Sequence, residues 1–216
     1  MTITKLVHSC MLVEQDGKKA IVDPGSFSWN SGVVDQDKLR DIDYVLVTHA
    51  HAVHIDETFA SVVNELSPNA IWYVTDSTKE IISKLPGIQV ETNSELSDVQ
   101  YIASEHADLT HWGACNDHTS FVLFKDLFIS GDCQTNTDLY GASILAGAIN
   151  GGPWGAIKGE LDMIVGLNTK PAKFVPLHDW HWNDQARAGF YTGLTDAMGK
   201  FGVEFLSIEN DVPIEV

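Results

Sequence analysis

Short apolar runs broken by polar turns open the chain, at residues 3–7, 11–14 and 20–23, and each is the length of a strand. The last two flank Gln15-Asp16-Gly17-Lys18, turn chemistry that predicts a hairpin. Residues 44–47, Tyr-Val-Leu-Val, predict a buried strand that stops at Thr48-His49. Phe59, Val62, Val63 and Leu66 then recur at helical spacing, so residues 58–66 predict a helix and His49, His51 and His54 fall on the loop joining strand to helix. The alternation continues with a strand at 71–74, a helix at 77–85 stopped by Pro86-Gly87, and a strand at 88–91. Further strands are predicted at 99–103, 120–124, 127–130 and 143–149. Pro153 is placed to open a helix that carries Ile157, Leu161, Ile164 and Val165 on one face and closes at Pro171. A strand at 173–177 delivers His178, a helix at 184–201 aligns Phe190, Leu194, Met198 and Phe201, and a last strand covers 204–208.

Repeats and low-complexity linkers are absent from this pattern, and 216 residues suffice for one sizeable core, so residues 1–216 are expected to form a single domain. With 44% hydrophobic and 20% charged residues, the chain has the balance of a globular protein. A formal charge of −17 repels phosphate backbones and anionic lipid, and Lys and Arg form no cluster that reverses this locally; neither nucleic acid nor membrane is an expected partner. The N-terminal residues lack the features of a secretory signal, and the longest apolar stretch, near 141–149, is too short to span a bilayer, so the cytoplasm is the expected location. Cys10, Cys115 and Cys133 are odd in number and widely spaced, which favours reduced thiols.

The sharpest chemical signal is His49-x-His51-x-x-His54. Two histidines one residue apart on a loop can turn both rings to one cation, and neutral imidazole is a favoured ligand of zinc and related metals. Ser130-Gly131-Asp132 and Leu177-His178 likewise place ligand-type residues at strand ends, where α/β proteins put their chemistry.

Thr48-His49-Ala50-His51-Ala52-Val53-His54 resembles the T-H-x-H-x-D-H signature of the metallo-β-lactamase superfamily. Asp23 in Val22-Asp23-Pro24-Gly25 resembles the family's early strand-end aspartate that buttresses the site. His106 in Glu105-His106-Ala107 resembles the third histidine of its first metal, Asp132 its metal-bridging aspartate, and His178 in Pro176-Leu177-His178-Asp179 its last histidine. Together with Leu6-Val7-His8-Ser9-Cys10 and Gly152-Pro153-Trp154, these segments are most similar to the ascorbate-6-phosphate lactonase-like branch. The resemblance implies an α/β fold, a four-layer αββα sandwich. It also implies metal-dependent hydrolysis of a small ester, lactone or phosphorylated sugar-like substrate by an activated water, with Asp132 and His54 as candidate catalytic groups. Carried over residue by residue, a first cation takes His49, His51, His106 and Asp132, and a second takes His54, Asp132 and His178. Zinc is the expected metal, in one or two copies, and manganese, iron and nickel suit the same ligands.

One position departs from the pattern. The family's aspartate between the second and third histidines is Val53, which cannot bind a metal, so the second site is expected to be weakened. The alternative function is a degenerate, weakly active or inactive fold member that binds metal or a metabolite; an iron-dependent redox site on the same fold is a further rival. His111 and His118 compete with His106 for its role, Cys133 is a minor candidate ligand, and His8 and His181 are expected near the site without binding metal. Trp112, Trp154, Trp180 and Trp182 are either a pocket wall or ordinary packing. Self-association is left open.

Overall fold

A computed structural model of the chain describes residues 1–91, 98–108, 115, 117–150 and 156–216. His111, Trp112, Pro153 and Trp154 therefore lie outside the described residues, as does the start of the helix expected at Pro153. The chain forms two compact units. The first takes residues 1–94 with 115–117 and the C-terminal 209–216, and the second takes 95–114 with 118–208.

The first unit is built on a seven-stranded sheet of order β13-β1-β2-β3-β4-β5-β6. Its strands are β1 (Thr2–Lys5), β2 (Met11–Gln15), β3 (Lys18–Val22), β4 (Tyr44–Leu46), β5 (Ile71–Tyr73), β6 (Gln89–Glu91) and β13 (Pro213–Glu215). The expected hairpin joins β2 to β3 antiparallel, with Gln15 opposite Lys18; Asp16 and Gly17 turn the chain at φ 51° and 77°, as a tight two-residue turn requires. From β3 to β6 all neighbours are parallel, connected by α1 (Ser26–Ser31), α2 (Glu57–Leu66) and α3 (Asp76–Ile82). Asp56 caps α2 by accepting from the Thr58 and Phe59 amides, and the inner face buries Phe59, Ala60 and Val63 against a core containing Trp72, Val45 and Leu12.

The second unit carries a six-stranded sheet of order β12-β11-β10-β9-β8-β7. These are β7 (Val99–Ala103), β8 (Thr119–Leu123), β9 (Leu127–Ile129), β10 (Ile144–Ala148), β11 (Lys173–Leu177) and β12 (Glu204–Phe205), with α4 (Ile157–Gly166) and α5 (Asp184–Gly199) as its helices. Strands β9 to β12 are parallel, while β8 runs antiparallel to both β7 and β9. The core of this unit gathers Phe128, Leu145, Ile149, Ile164, Phe174 and Met198.

The expected mixed α/β architecture is thus present, with two differences in the helices. On α4 the buried positions are Glu160, Met163 and Ile164, and Val165 is half exposed. On α5 they are Tyr191, Leu194 and Met198, while Phe190 faces solvent and stacks on Trp182 at 4.4 Å; Phe201, expected on the same helix, lies beyond its end and is exposed. Helix α1 and strand β13 had no counterpart in the sequence pattern, because neither carries a helical or alternating apolar period.

Candidate metal centre

Strand direction decides where the polar side chains gather. In the first unit β3 and β4 are parallel, with Val22 opposite Leu46, so both C-terminal ends lie side by side. Asp23 leaves β3 there and Thr48 to His54 leave β4. Asp23 takes a left-handed φ of 45°, an unusual backbone for a residue with a side chain, of the kind that clusters at functional sites. The loop after β3 approaches the β4 loop so closely that a Cβ at Gly25 would stand 1.7 Å from the Val53 carbonyl oxygen; only glycine fits.

Thr48 joins these pieces. Asp23 Oδ1 accepts from the Thr48 amide at 2.8 Å, and the Thr48 hydroxyl lies 3.0 Å from Asp23 Oδ2, 3.0 Å from His49 Nδ1 and 3.2 Å from His54 Nδ1. His54 Nδ1 lies 2.8 Å from Asp23 Oδ2. A carboxylate can only accept, so His54 Nδ1 carries a hydrogen and Nε2 is the ring nitrogen left to serve as a metal ligand. The hydroxyl hydrogen of Thr48 likewise goes to Asp23, leaving its oxygen to accept from His49 Nδ1–H and the His49 Nε2 lone pair turned outward. That nitrogen stands 2.8 Å from His51 Nδ1.

The second unit repeats the logic. Because β8 is antiparallel to both neighbours, β7 and β9 point the same way, and β9, β10 and β11 are parallel. The C-terminal ends of β7, β9 and β11 therefore present His106, Asp132 and His178 at one edge of the sheet. Gly131, at φ 58°, turns the chain so that Asp132 follows β9 at once, and His178 adopts φ 66° directly after β11. The Ala107 amide donates to the Asp132 carbonyl at 2.8 Å, tying two of these ends together. Asp132 Oδ2 lies 3.2 Å from His106 Nε2, and Oδ1 lies 3.0 Å from His178 Nε2, with all three side chains almost fully buried.

His106 Nδ1 lies 2.7 Å from the Ala107 carbonyl oxygen, an atom that only accepts. Nδ1 therefore carries a hydrogen, and Nε2 faces the Asp132 carboxylate, where either a proton or a metal cation can sit between them. Two electron-rich atoms held in that relation repel unless a positive charge accompanies them. A divalent cation supplies that charge, and orienting partners of this kind on the distal imidazole nitrogen are what metal-binding histidines use.

Each unit gathers its own candidate donors, His49, His51 and His54 in the first and His106, Asp132 and His178 in the second; the resemblance divides them into a first group, His49, His51, His106 and Asp132, and a second, His54, Asp132 and His178. Imidazoles and a shared carboxylate are the donor chemistry of zinc and its first-row neighbours, so these residues fit a bound metal. Val53 is half-buried and offers no donor atom; its carbonyl accepts from the Ser9 hydroxyl at 2.9 Å.

The competing histidines are placed differently. His118 Nε2 accepts the Asp132 backbone amide at 3.1 Å rather than joining either group. His8 is buried against Phe27 and His54, and His181 is exposed. Cys133 is buried with its sulfur 3.5 Å from the Thr135 hydroxyl and belongs to neither group. No disulfide joins the three cysteines, and burial pushes the Cys10 thiol far above its ordinary pKa.

Several contributors escaped the sequence pattern. Thr48 is the hub of the first-unit histidines. Behind His178, Asp179 is buried, accepts from the Tyr191 hydroxyl at 2.7 Å and pairs with Arg187 Nε at 3.1 Å; Arg187 also reaches the carbonyls of Asp179 and Trp182. Arg187 and Tyr191, four residues apart on one face of α5, were the available signal.

Fold and donor set define a class, the metal-dependent hydrolase folds with two sheets and a histidine-aspartate cluster. Residues 3–55 match the family model described as the metallo-beta-lactamase superfamily. Over its whole length the chain has the metallo-β-lactamase fold. Among solved structures, a possible metal-dependent hydrolase from Veillonella parvula superposes with a TM-score of 0.71 at 16% identity, covering 100% of this chain and 99% of that one. The isothiocyanate hydrolase from Delia radicum gut bacteria superposes with a TM-score of 0.67, also at 16% identity, over 100% of this chain and 99% of that one. Protein Rv0786c of Mycobacterium tuberculosis is 24% identical over 91% of this chain and 92% of its own length. A UPF0173 protein of Pyrococcus furiosus is 31% identical over 49% of this chain, and that match spans 50% of its length.

Proposed function

We propose that the protein is a metal-dependent hydrolase acting through an activated water on a small ester, lactone or phosphorylated sugar-like substrate. The observation that carries the proposal is the buried convergence on Asp132: His106 Nε2 lies 3.2 Å from Oδ2 and His178 Nε2 lies 3.0 Å from Oδ1, with His106 oriented by the Ala107 carbonyl. His49, His51, His106 and Asp132 would hold a first cation, with zinc the preferred ion, and His54, Asp132 and His178 a second. Bound there, a divalent cation supplies Lewis acidity, which brings the pKa of a water from about 15.7 toward 7 and polarises the bond under attack. Asp132, whose two carboxylate oxygens face His106 and His178, is the group placed to take and hold a proton during attack. Asp23 keeps a hydrogen on His54 Nδ1, so Nε2 is the ring nitrogen left to serve as either ligand or base. The lactonase-like branch of the superfamily supplies the substrate class in this reading.

The test is a panel of aryl esters, sugar lactones and sugar phosphates assayed with the zinc-loaded and the chelator-treated protein. Turnover of one class that vanishes with chelator and returns with zinc is the expected result. No turnover of any class by protein with measured zinc content rejects the hydrolase reading.

A second reading, a metal-binding member with little or no turnover, is favoured by Val53. The second donor group has three members where the first has four, and the missing one carries a negative charge in the family pattern. Val53→Asp separates the two readings. If the chain is a degenerate hydrolase, the variant gains zinc stoichiometry and a large new activity; if it is already active, the variant changes stoichiometry more than rate.

A further inference from the structure

We infer that His118 is a positioning residue for the metal centre: it holds the Asp132 backbone and supports the His106 ring, and so sets metal affinity without being a ligand. The inference rests on the metal reading above, and it concerns a part of the second unit that the donor groups leave out.

Donation from the Asp132 amide fixes the state of His118, and a serine relay meets its other ring nitrogen. At one end, the Asp132 amide donates to His118 Nε2 at 3.1 Å, so Nε2 carries a lone pair. At the other end, Ser104 Oγ lies 2.8 Å from His118 Nδ1, Ser120 Oγ lies 2.9 Å from Ser104 Oγ, and Ser120 Oγ lies 3.0 Å from the Ser130 carbonyl. Ser120 Oγ is the donor toward both the Ser130 carbonyl and Ser104 Oγ. With its Nε2 lone pair taken by the Asp132 amide, the neutral ring carries its hydrogen on Nδ1, which donates to the Ser104 oxygen. The chain of bonds begins at the Asp132 amide and ends on Ser130, two residues earlier, closing a loop around the turn that aims the Asp132 carboxylate.

His118 also meets His106 edge to face, with ring centroids 5.8 Å apart and planes at 86°. One side chain therefore braces two members of the first donor group, and both lie within the second unit with it. Outer partners of metal ligands typically change affinity by about 10- to 100-fold when removed.

A purely architectural role for His118 predicts a different order of variants. Glutamine places an amide oxygen near the Nε2 position, where it can accept the Asp132 amide, whereas asparagine reproduces only the Nδ1 end toward Ser104. The experiment titrates metal-free protein with Co2+ alone, following visible absorption, for the wild type, His118→Ala, His118→Gln, His118→Asn and His106→Ala, with the unfolding midpoint of each recorded. The expected result is a Co2+ Kd about 10- to 100-fold weaker for H118A, with H118Q nearer to wild type than H118N and a shifted Co2+ spectrum in H118A. In the unmodified protein, nitrogen-15 NMR of His118 should show the Nδ1–H tautomer, a readout that needs no variant. If H118A binds Co2+ as the wild type does while H106A loses it, or if Asn rescues better than Gln, or if NMR shows Nε2–H, the inference is overturned and the metal reading stands. If the wild type itself binds no Co2+, the metal reading fails, and this inference with it.

Discussion

Asp132 is constrained at every polar atom. Its amide donates to His118, its carbonyl accepts from Ala107, and its two carboxylate oxygens face His178 and His106. A side chain so fixed is pre-organised for its ligand, which lowers the ordering cost of binding. Not far from it lies a second buried acid. Glu160 on α4 is completely buried, and its Oε1 sits 2.1 Å from where a Cβ at Gly147 would stand, so that glycine makes the room it occupies. Burial pushes the Glu160 carboxyl well above the usual range; the Gln134 side chain offsets part of this, and the charge of Asp132 adds to it. The folded state then binds a proton that the unfolded state releases from about pH 4.3 upward, so this group's contribution to stability falls as pH rises through that value and continues to fall until the raised folded-state pKa is reached. Glu160→Gln is expected to raise the melting temperature at pH 7 to 8 and to have a smaller effect near pH 4. A shift of equal size at both pH values would show that Glu160 is not held neutral. Asp179 offers a second residue-scale test: Tyr191→Phe removes its 2.7 Å donor inside the protein and should cost about 1–3 kcal/mol in denaturant unfolding.

At the scale of elements, the pattern of apolar residues located every central strand and the long helices, and it erred in instructive ways. Predicted strands at 20–23 and 127–130 ran on into the polar residues; the observed strands stop at Val22 and Ile129. The chain leaves the sheet where it must turn a donor toward the site, and positive φ at Asp23 and Gly131 does the turning, which hydrophobicity does not register. Helix faces were read from apolar residues alone. On α5 the buried face rotates to Tyr191 because its hydroxyl reaches Asp179, and on α4 a glutamate takes an inner position that a charge-outward rule assigns to solvent. The candidate site was legible because histidine spacing and strand-end position coincide; Thr48 and His118 were not, since their roles arise from hydrogen bonds between strands far apart in sequence. The revised α4 face predicts that Ile164→Ala costs about 2–5 kcal/mol, as a fully buried aliphatic does. Val165→Thr, at a half-exposed position, should stay within about 0.5 kcal/mol. Chemical denaturation of both variants checks the assignment, and a larger loss for Val165→Thr would restore the sequence-based face.

For the molecule as a whole, two parallel-strand regions, one in each unit, carry the candidate donor residues at their C-terminal ends, where open α/β sheets generally bind ligands. No described helix is long and apolar enough to cross a membrane. All of this depends on the histidines and Asp132 holding an ion. The most direct measurement is the metal content of zinc-loaded, desalted protein by elemental analysis, compared with a His51→Ala/His106→Ala double variant of matched helical content. The account predicts one tightly retained zinc per wild-type chain, a second retained weakly or lost on desalting, and none in the double variant. Equal zinc in both proteins would contradict it.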